Sequence, residues 1–235
     1  MSSRVGDEAI RALADVSASL VAPHDISGTL AGMLTGIRSA LDVEACGIVA
    51  AGLSGRFEVL SASSHTEDDL ALFETQTITG PGVTACLRNE HVAVSGLEEI
   101  KADWPELAAA MGTSGFRSVL ACPLRWNGTA LGAVAVFRRG EAAFTHAERV
   151  TLQAFADLAI LLVIHSDGVT VSMAVERMEQ ALQSRILIEQ AKGVLAYVHQ
   201  IGMADAYDAL QEIARDAGIS LTEGAERVII EATRR

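Results

Sequence analysis

The feature that most constrains this chain is a long stretch, Val171 to Val198, that contains no proline and a single glycine, Gly193. Its apolar residues recur at spacings of three and four, which predicts one continuous α-helix. The first apolar positions have coiled-coil spacing, and we expect them to form a short dimer seam. They are Val171, Val175, Met178 and Leu182. The apolar stripe then moves to Ile188, Ala191 and Leu195, so the same helix turns a second face to a small bundle.

The other members of that bundle follow directly. Ala204 to Ala217 has apolar residues on one helical face, and Gly218 suits the position just after a helix. Ser220 and Glu223 have the spacing of a capping box, which predicts a third helix beginning at Leu221. We expect an all-α module of three short helices.

The first two thirds of the chain alternate between helix and strand patterns. Helices are predicted over Val5 to Leu20 and from His24 or Asp25 to Leu41, and Thr145 and Glu148 form a capping box for a helix that ends at Ile164. Asn127 and Gly128 predict a hairpin turn. The predicted strands are Cys46 to Ala51, Phe57 to Ala62, His91 to Ser95, Arg117 to Trp126 and Ala130 to Arg138. This order indicates an α+β domain whose antiparallel sheet is flanked by helices.

The segments between these strands carry turn and cap signals. Ser63 to Asp69 is a polar turn, followed by a stretch of mixed character up to Thr79. Gly80, Pro81 and Gly82 break the chain before a short helix, and a further helix is predicted with Asp103 as its cap and Pro105 in its first turn. Asp167 and Gly168 are the expected joint between this domain and the long helix that follows it. We therefore divide the chain into an N-terminal helix (1–20), a sensor domain (21–166), a connecting helix (167–183) and a C-terminal module (184–235).

Composition and charge exclude several classes of protein. No apolar run is long enough to cross a bilayer, and the N-terminus has no signal-peptide pattern, so a cytoplasmic protein is expected. Cys46, Cys86 and Cys122 are widely spaced and form no metal-ligand motif, which favours structural thiols and predicts no metal site. The net charge is -12, and the part from Val171 onward, with seven basic and ten acidic residues, is still acidic. Charge by itself does not indicate a nucleic-acid binder.

Residues 20 to 165 contain Gly80-Pro81-Gly82, Trp104-Pro105, Ser118 to Leu124, Asn127-Gly128 and Leu131 to Val136. With these motifs the segment resembles a GAF domain. The resemblance implies a domain that senses a small molecule or dimerises. The residues that accompany cyclic-nucleotide, bilin or haem binding in some members are not evident, and His65 and His91 stand alone. The ligand, and whether there is one, stays open.

Residues 175 to 235 contain the runs Ala181 to Arg185, Ile188 to Gly193 and Asp205 to Tyr207, with Leu210, Ala214, Leu221 and Ala225. With these runs the segment resembles an ANTAR domain. The resemblance implies a homodimer that captures paired RNA stem-loops in a leader transcript and prevents transcription termination. The positions that it assigns to RNA contact are Arg185, Gln190, Ala191, Lys192, Gly193 and Tyr207.

Each of these positions also has a structural interpretation. Arg185 and Glu189 are four residues apart and could form an exposed ion pair. Ala191 and Tyr207 could serve packing alone. Tyr197, His199 and Gln200 depart from the family pattern, which predicts modest affinity or a need for activation.

The main hypothesis is a signal-controlled, non-enzymatic RNA-binding antiterminator. Two alternatives stay open: a DNA-binding transcription factor, and a ligand sensor whose tail makes only protein contacts. The acidic residues Glu223, Glu226 and Glu231 in the last helix disfavour DNA recognition. An enzyme resembling the GAF-type methionine sulfoxide reductases is disfavoured by the spacing of the cysteines.

Overall fold

A computed structural model describes residues 2–20, 25–52, 54–63, 67–164 and 171–233. In chain order its elements are α1 (Ser2–Ser19), α2 (Ile26–Leu41), β1 (Ala45–Ala51), β2 (Phe57–Ala62), α3 (Glu67–Ile78), α4 (Pro81–Arg88), β3 (Val92–Ser95), α5 (Leu97–Asp103), α6 (Pro105–Ser114), β4 (Ser118–Trp126), β5 (Thr129–Arg138), α7 (His146–Ile164), α8 (Val171–His199), α9 (Met203–Ala217) and α10 (Leu221–Thr233).

The strands form one antiparallel sheet in the order β2-β1-β5-β4-β3. The hairpin that joins β4 to β5 turns at Asn127 and Gly128, whose φ angles of 47° and 80° suit a tight two-residue turn. Gly132 allows β5 to lie close to β1, because a Cβ at that position would come within 2.4 Å of the Val49 carbonyl oxygen. The predicted α+β class and the hairpin are confirmed.

Both faces of the sheet are covered, so its side chains alternate between two cores. Along β5, Val134 and Val136 point into a core shared with α1, α2, α7 and the beginning of α8. Ala133, Ala135 and Phe137 point into a second core beneath α3, α5 and α6. The first core links the sheet domain to α8.

Two segments of the sheet domain differ from the prediction. The polar and mixed stretch before Thr79 contains helix α3, whose buried side is formed by Leu72, Phe73 and Gln76. Asp103 was predicted to cap a helix, but it ends α5, and Trp104 occupies the cap position of α6 without a side-chain cap hydrogen bond. Pro105 stands in the first turn of α6 as expected.

The C-terminal helices enclose a third core that contains Ile188, Ala191 and Leu195 of α8. Helix α9 ends at Ala217, and the cap residue Gly218 that follows it has a φ of 64°. The predicted capping box begins α10: the Ser220 N–H donates to Glu223 Oε2 at 2.9 Å, and the Glu223 N–H donates to Ser220 Oγ at 3.1 Å. The expected joint at Asp167 and Gly168 lies outside the described residues. No helix within the described ranges is long and apolar enough to span a membrane.

Candidate nucleic-acid interface

Helix α8 serves two cores within one chain. Met178 and Leu182 are buried in the core of the sheet domain, and Val175 packs at its margin. The side chain of Val171, the remaining position of the predicted dimer seam, lies outside the described part of the chain. In this conformation the three described seam positions are therefore covered by the sheet domain, and a homodimer through the seam stays a prediction. The second apolar stripe packs in the C-terminal bundle, as expected.

Lys192 is fully buried, although the sequence suggested a cation free to reach phosphate. Its ammonium nitrogen lies 2.8 Å and 3.0 Å from the two carboxylate oxygens of Glu189. It also stands 5.7 Å from the ring centre of Tyr207 on α9. Burial lowers the pKa of Lys192 below its ordinary value, and the hydrogen bonds that its ammonium donates to Glu189 oppose that shift.

Arg185 lies on the same side of α8, about two turns earlier. Its guanidinium donates to the backbone carbonyl of Val59 in β2. Burial lowers the pKa of Arg185, while the charges of Glu189, Glu74 and Glu58 oppose the shift. The guanidinium thus joins the C-terminal part of α8 to the sheet domain.

Tyr207 faces the same junction from α9. Its side chain is half-buried, and burial raises the pKa of its phenol, while the hydrogen bond with Gln211 opposes that shift. Together with Arg185 and Glu189 it lines a gap of about 30 Å³ against Ser61 and Ala62 of β2. A space of that size holds a water molecule at most, so no nucleotide fits between the two domains here.

The remaining predicted RNA positions have other surroundings. Gln190 and Gly193 are exposed, whereas Ala191 is completely buried in the bundle core. Gln190 and Gly193 border an open, mostly apolar cleft of about 830 Å³. Tyr197, on the same side of α8, is 80% exposed and also borders this cleft. The six positions therefore divide between the domain junction, the outer surface and the core.

Asp25 connects the two domains at the edge of the same junction, although the sequence predicted only a local role for it. Its Oδ2 atom accepts from the Gly28 N–H at 3.1 Å as the N-cap of α2. The same atom accepts from the Leu221 N–H, at the beginning of α10, at 3.0 Å. The local cap was readable from the sequence, but a contact between residues so far apart had no sequence signal.

The sheet domain also contains thiol, amide and imidazole groups that could take part in binding or chemistry. Burial raises the pKa of the Cys46 and Cys122 thiols to about 12 and that of Cys86 to about 11. Both polar atoms of the Gln76 amide are buried without a hydrogen-bond partner.

His91 is exposed and contacts Gln153, while His65 lies outside the described residues. Among the residues that the structure describes, no group of three or more His, Cys, Asp or Glu side chains could hold a metal ion.

This architecture defines a two-part protein in which one helix joins an α+β sheet domain to a three-helix module. The family model of the GAF domain matches residues 25–163, so the chain belongs to the GAF domain family. The family model of the ANTAR domain matches residues 176–229, and the chain thus combines a GAF domain with an ANTAR domain. GAF domains are signal-sensing modules, and ANTAR domains as a class are RNA-binding antitermination modules.

Solved structures similar to this chain have the same sheet-domain fold. The GAF domain of an Acinetobacter phosphoenolpyruvate-protein phosphotransferase is 13% identical with a TM-score of 0.54, covering 68% of this chain and 95% of its own. The GAF domain of the corresponding Coxiella burnetii protein is 17% identical with a TM-score of 0.50, covering 65% of this chain and 90% of its own. At these identities the likeness supports the fold alone. No curated protein sequence gives a significant match to the chain.

Proposed function

We propose that the chain is a signal-responsive RNA-binding regulator that captures paired stem-loops in nascent transcripts and prevents termination. The GAF domain senses the signal, α8 connects the two domains, and α8 to α10 bind the RNA. The observation that carries the proposal is the ANTAR match over residues 176–229, which includes all six candidate RNA positions. The protein acts in the cytoplasm, as a homodimer and without catalysis.

The chemistry of the candidate positions supports RNA as the ligand. Arg185 and Lys192 lie on one side of α8, where they supply cations for phosphate oxygens once that side is free. Gly193 is adjacent and exposed, and a Cβ added there would meet no other group within 4 Å. This open backbone permits close approach of a nucleotide. Tyr207 offers an aromatic ring for an unstacked loop base.

The acidic charge of the protein predicts how this binding responds to salt. With a net charge of -12 and two cations at the candidate interface, few phosphate contacts form. The slope of log K against log salt should therefore be shallow, about -0.7 for each contact with single-stranded RNA. Recognition then depends on the shape and bases of the hairpin loops and on the pairing of two modules.

A gel-shift titration tests the proposal with the two lysines of the chain as a matched pair. Lys192→Met keeps the length of the buried side chain without its charge, and Lys101→Met makes the same change at an exposed site in α5. We expect the full-length Lys192→Met protein to bind a two-hairpin RNA about tenfold more weakly than wild type. A tenfold change is what the loss of roughly one good polar contact produces. Lys101→Met should bind like wild type.

Three results would contradict the proposal. Equal binding by Lys192→Met and wild type would remove Lys192 from the interface. Preference for duplex DNA over the hairpin RNA would favour a DNA-binding transcription factor. Absence of RNA binding by wild type, with or without dimerisation, would favour a sensor whose tail makes only protein contacts.

The buried amide of Gln76 supports the sensing role. It lies on α3 within the sheet domain, and a Cβ on Gly82 would come within 3.3 Å of its Oε1 atom. A buried amide without partners costs about 1–3 kcal/mol, which a polar small molecule could recover by hydrogen bonding. The chemical class of signal that fits is a small molecule with both donor and acceptor groups.

A further inference from the structure

One carboxylate oxygen caps two helices that belong to different domains. Asp25 Oδ2 accepts the Gly28 N–H of α2 and the Leu221 N–H of α10, which are 3.1 Å and 3.0 Å away. The first N–H groups of any helix lack partners within that helix, and an ionised carboxylate is a strong acceptor for them. Asp25 therefore holds the beginning of α10, the last ANTAR helix, against the beginning of α2, the first helix of the GAF domain.

This contact borders the side of the ANTAR domain that contains the candidate cations. Arg185 donates to the Val59 carbonyl of the GAF domain, and Lys192 is shielded from solvent completely. Glu189 and Tyr207, which contact the Lys192 ammonium, line the narrow gap against the GAF domain together with Leu221. Lys192 is therefore out of reach of an RNA phosphate in this arrangement, and the half-buried guanidinium of Arg185 is held by the Val59 carbonyl.

We propose that this is a closed state, in which the Asp25 clamp holds the RNA-contacting side of the ANTAR domain against the GAF domain, and that RNA binding requires release of the clamp. The inference rests on the proposed function and adds its regulation. The apparent RNA affinity then equals the affinity of the open state reduced by the fraction of molecules that are open. A signal that favours the open state raises RNA affinity without contacting RNA.

Two substitutions at Asp25 separate the clamp from the local cap. Serine is as good an N-cap as aspartate, so Asp25→Ser keeps the cap of α2. Its hydroxyl is shorter and uncharged, so it loses the bond to Leu221. Asparagine retains an acceptor at the same distance along the side chain, so Asp25→Asn should stay mostly closed. Ser220 and Glu223 continue to cap α10 in both variants.

The two lysines make the closed state measurable without RNA. Lys101 is exposed and Lys192 is fully buried, so limited acylation followed by mass spectrometry reports the ratio of Lys192 to Lys101 labelling in the intact protein. We expect Asp25→Ser to raise this ratio about tenfold and to raise affinity for a two-hairpin RNA by a similar factor, as a shift to the open state requires. Asp25→Asn should resemble wild type in both measurements.

A second variant distinguishes release of the clamp from simple unfolding of α2. Arg185→Met removes the bond to the Val59 carbonyl and leaves α2 untouched, so it should also raise Lys192 labelling, with a cooperative thermal melt preserved. An unchanged labelling ratio in both Asp25→Ser and Arg185→Met would overturn the closed state. If Lys192 labelling rises in the variants and wild type binds RNA, but Asp25→Ser binds RNA no more tightly than wild type, the gating is overturned. Raised labelling with no RNA binding by any variant would support the clamp and contradict the proposed RNA function.

Discussion

The ammonium of Lys192 lies 2.8 Å from a carboxylate oxygen of Glu189, one turn earlier in α8, and Lys192 has no solvent exposure. The Glu189 side chain is itself 31% exposed. A buried cation depends on its partner, because an unpaired charge in the interior is costly. The pair therefore ties the stability of the C-terminal module to a residue that the candidate RNA interface also needs.

Glu189→Gln should destabilise the protein. The amide keeps the size of the side chain but removes the charge that compensates Lys192, and we expect a loss of about 1–3 kcal/mol in the free energy of unfolding, below the range for a completely buried pair. Urea denaturation followed by circular dichroism measures it. Glu226→Gln, on the exposed side of α10, is the matched control and should change stability little. Equal losses in the two variants would argue against the Lys192 pair.

The three thiols should be unreactive in the native protein. Cys46, Cys86 and Cys122 are buried, and burial raises the pKa of each to about 11 or 12, so the nucleophilic thiolate is scarce at neutral pH. A colorimetric disulfide reagent at pH 8 should label them only as fast as the chain unfolds. Rapid labelling of one thiol without denaturant would revive the enzymatic alternative.

The same thiols give the stability a dependence on alkaline pH. Below pH 9, the thiols are protonated in both the folded and the unfolded chain. Above pH 9, the unfolded thiols ionise while the folded ones keep their protons up to about pH 11 or 12, so their stabilising contribution is lost as pH rises through this window. Thermal melts from pH 8 to pH 11 should show a falling midpoint, and Cys46→Ala should reduce the slope. An identical slope in that variant would exclude Cys46 as a contributor.

Gln76→Met should stabilise the protein and abolish its response to the signal. Methionine matches glutamine in length and helix propensity, and it removes two buried polar atoms that have no hydrogen-bond partner. We expect a gain of about 1 kcal/mol in the free energy of unfolding, by urea denaturation. Gln153→Met is a control, since that amide donates to the Pro123 carbonyl and to Asp157 and its loss should be destabilising. A destabilised Gln76→Met protein would show that the amide has partners in solution.

Features set by neighbouring residues could be predicted from the sequence. The capping boxes of Thr145 with Glu148 and of Ser220 with Glu223 both form, because each needs only a three-residue spacing. The Asn127-Gly128 turn forms for the same reason. Helix α3 was not predicted, because its apolar residues lack clear helical spacing and its burial depends on the sheet beneath it.

Features set by tertiary contacts could not be predicted. Coiled-coil spacing at Met178 and Leu182 fits any apolar surface, and in this structure both side chains pack in the core of the sheet domain. A lysine in the ANTAR pattern suggests an exposed cation, yet Lys192 is completely buried, with its ammonium against Glu189 and the ring of Tyr207. The bond between Asp25 and Leu221 joins residues from opposite ends of the sequence. The candidate positions were therefore readable, but their accessibility was not.

The most direct test of RNA binding by α8 is an equilibrium filter-binding titration of a two-hairpin RNA with Gly193→Ala and Gly32→Ala. Both glycines are exposed helical residues, and a Cβ at either meets nothing within 4 Å, so each alanine should stabilise its helix by about 1 kcal/mol. The methyl group of Gly193→Ala should still obstruct the approach of RNA and weaken binding about tenfold, whereas Gly32→Ala should bind like wild type. Equal affinities for the two variants would contradict an RNA interface on α8.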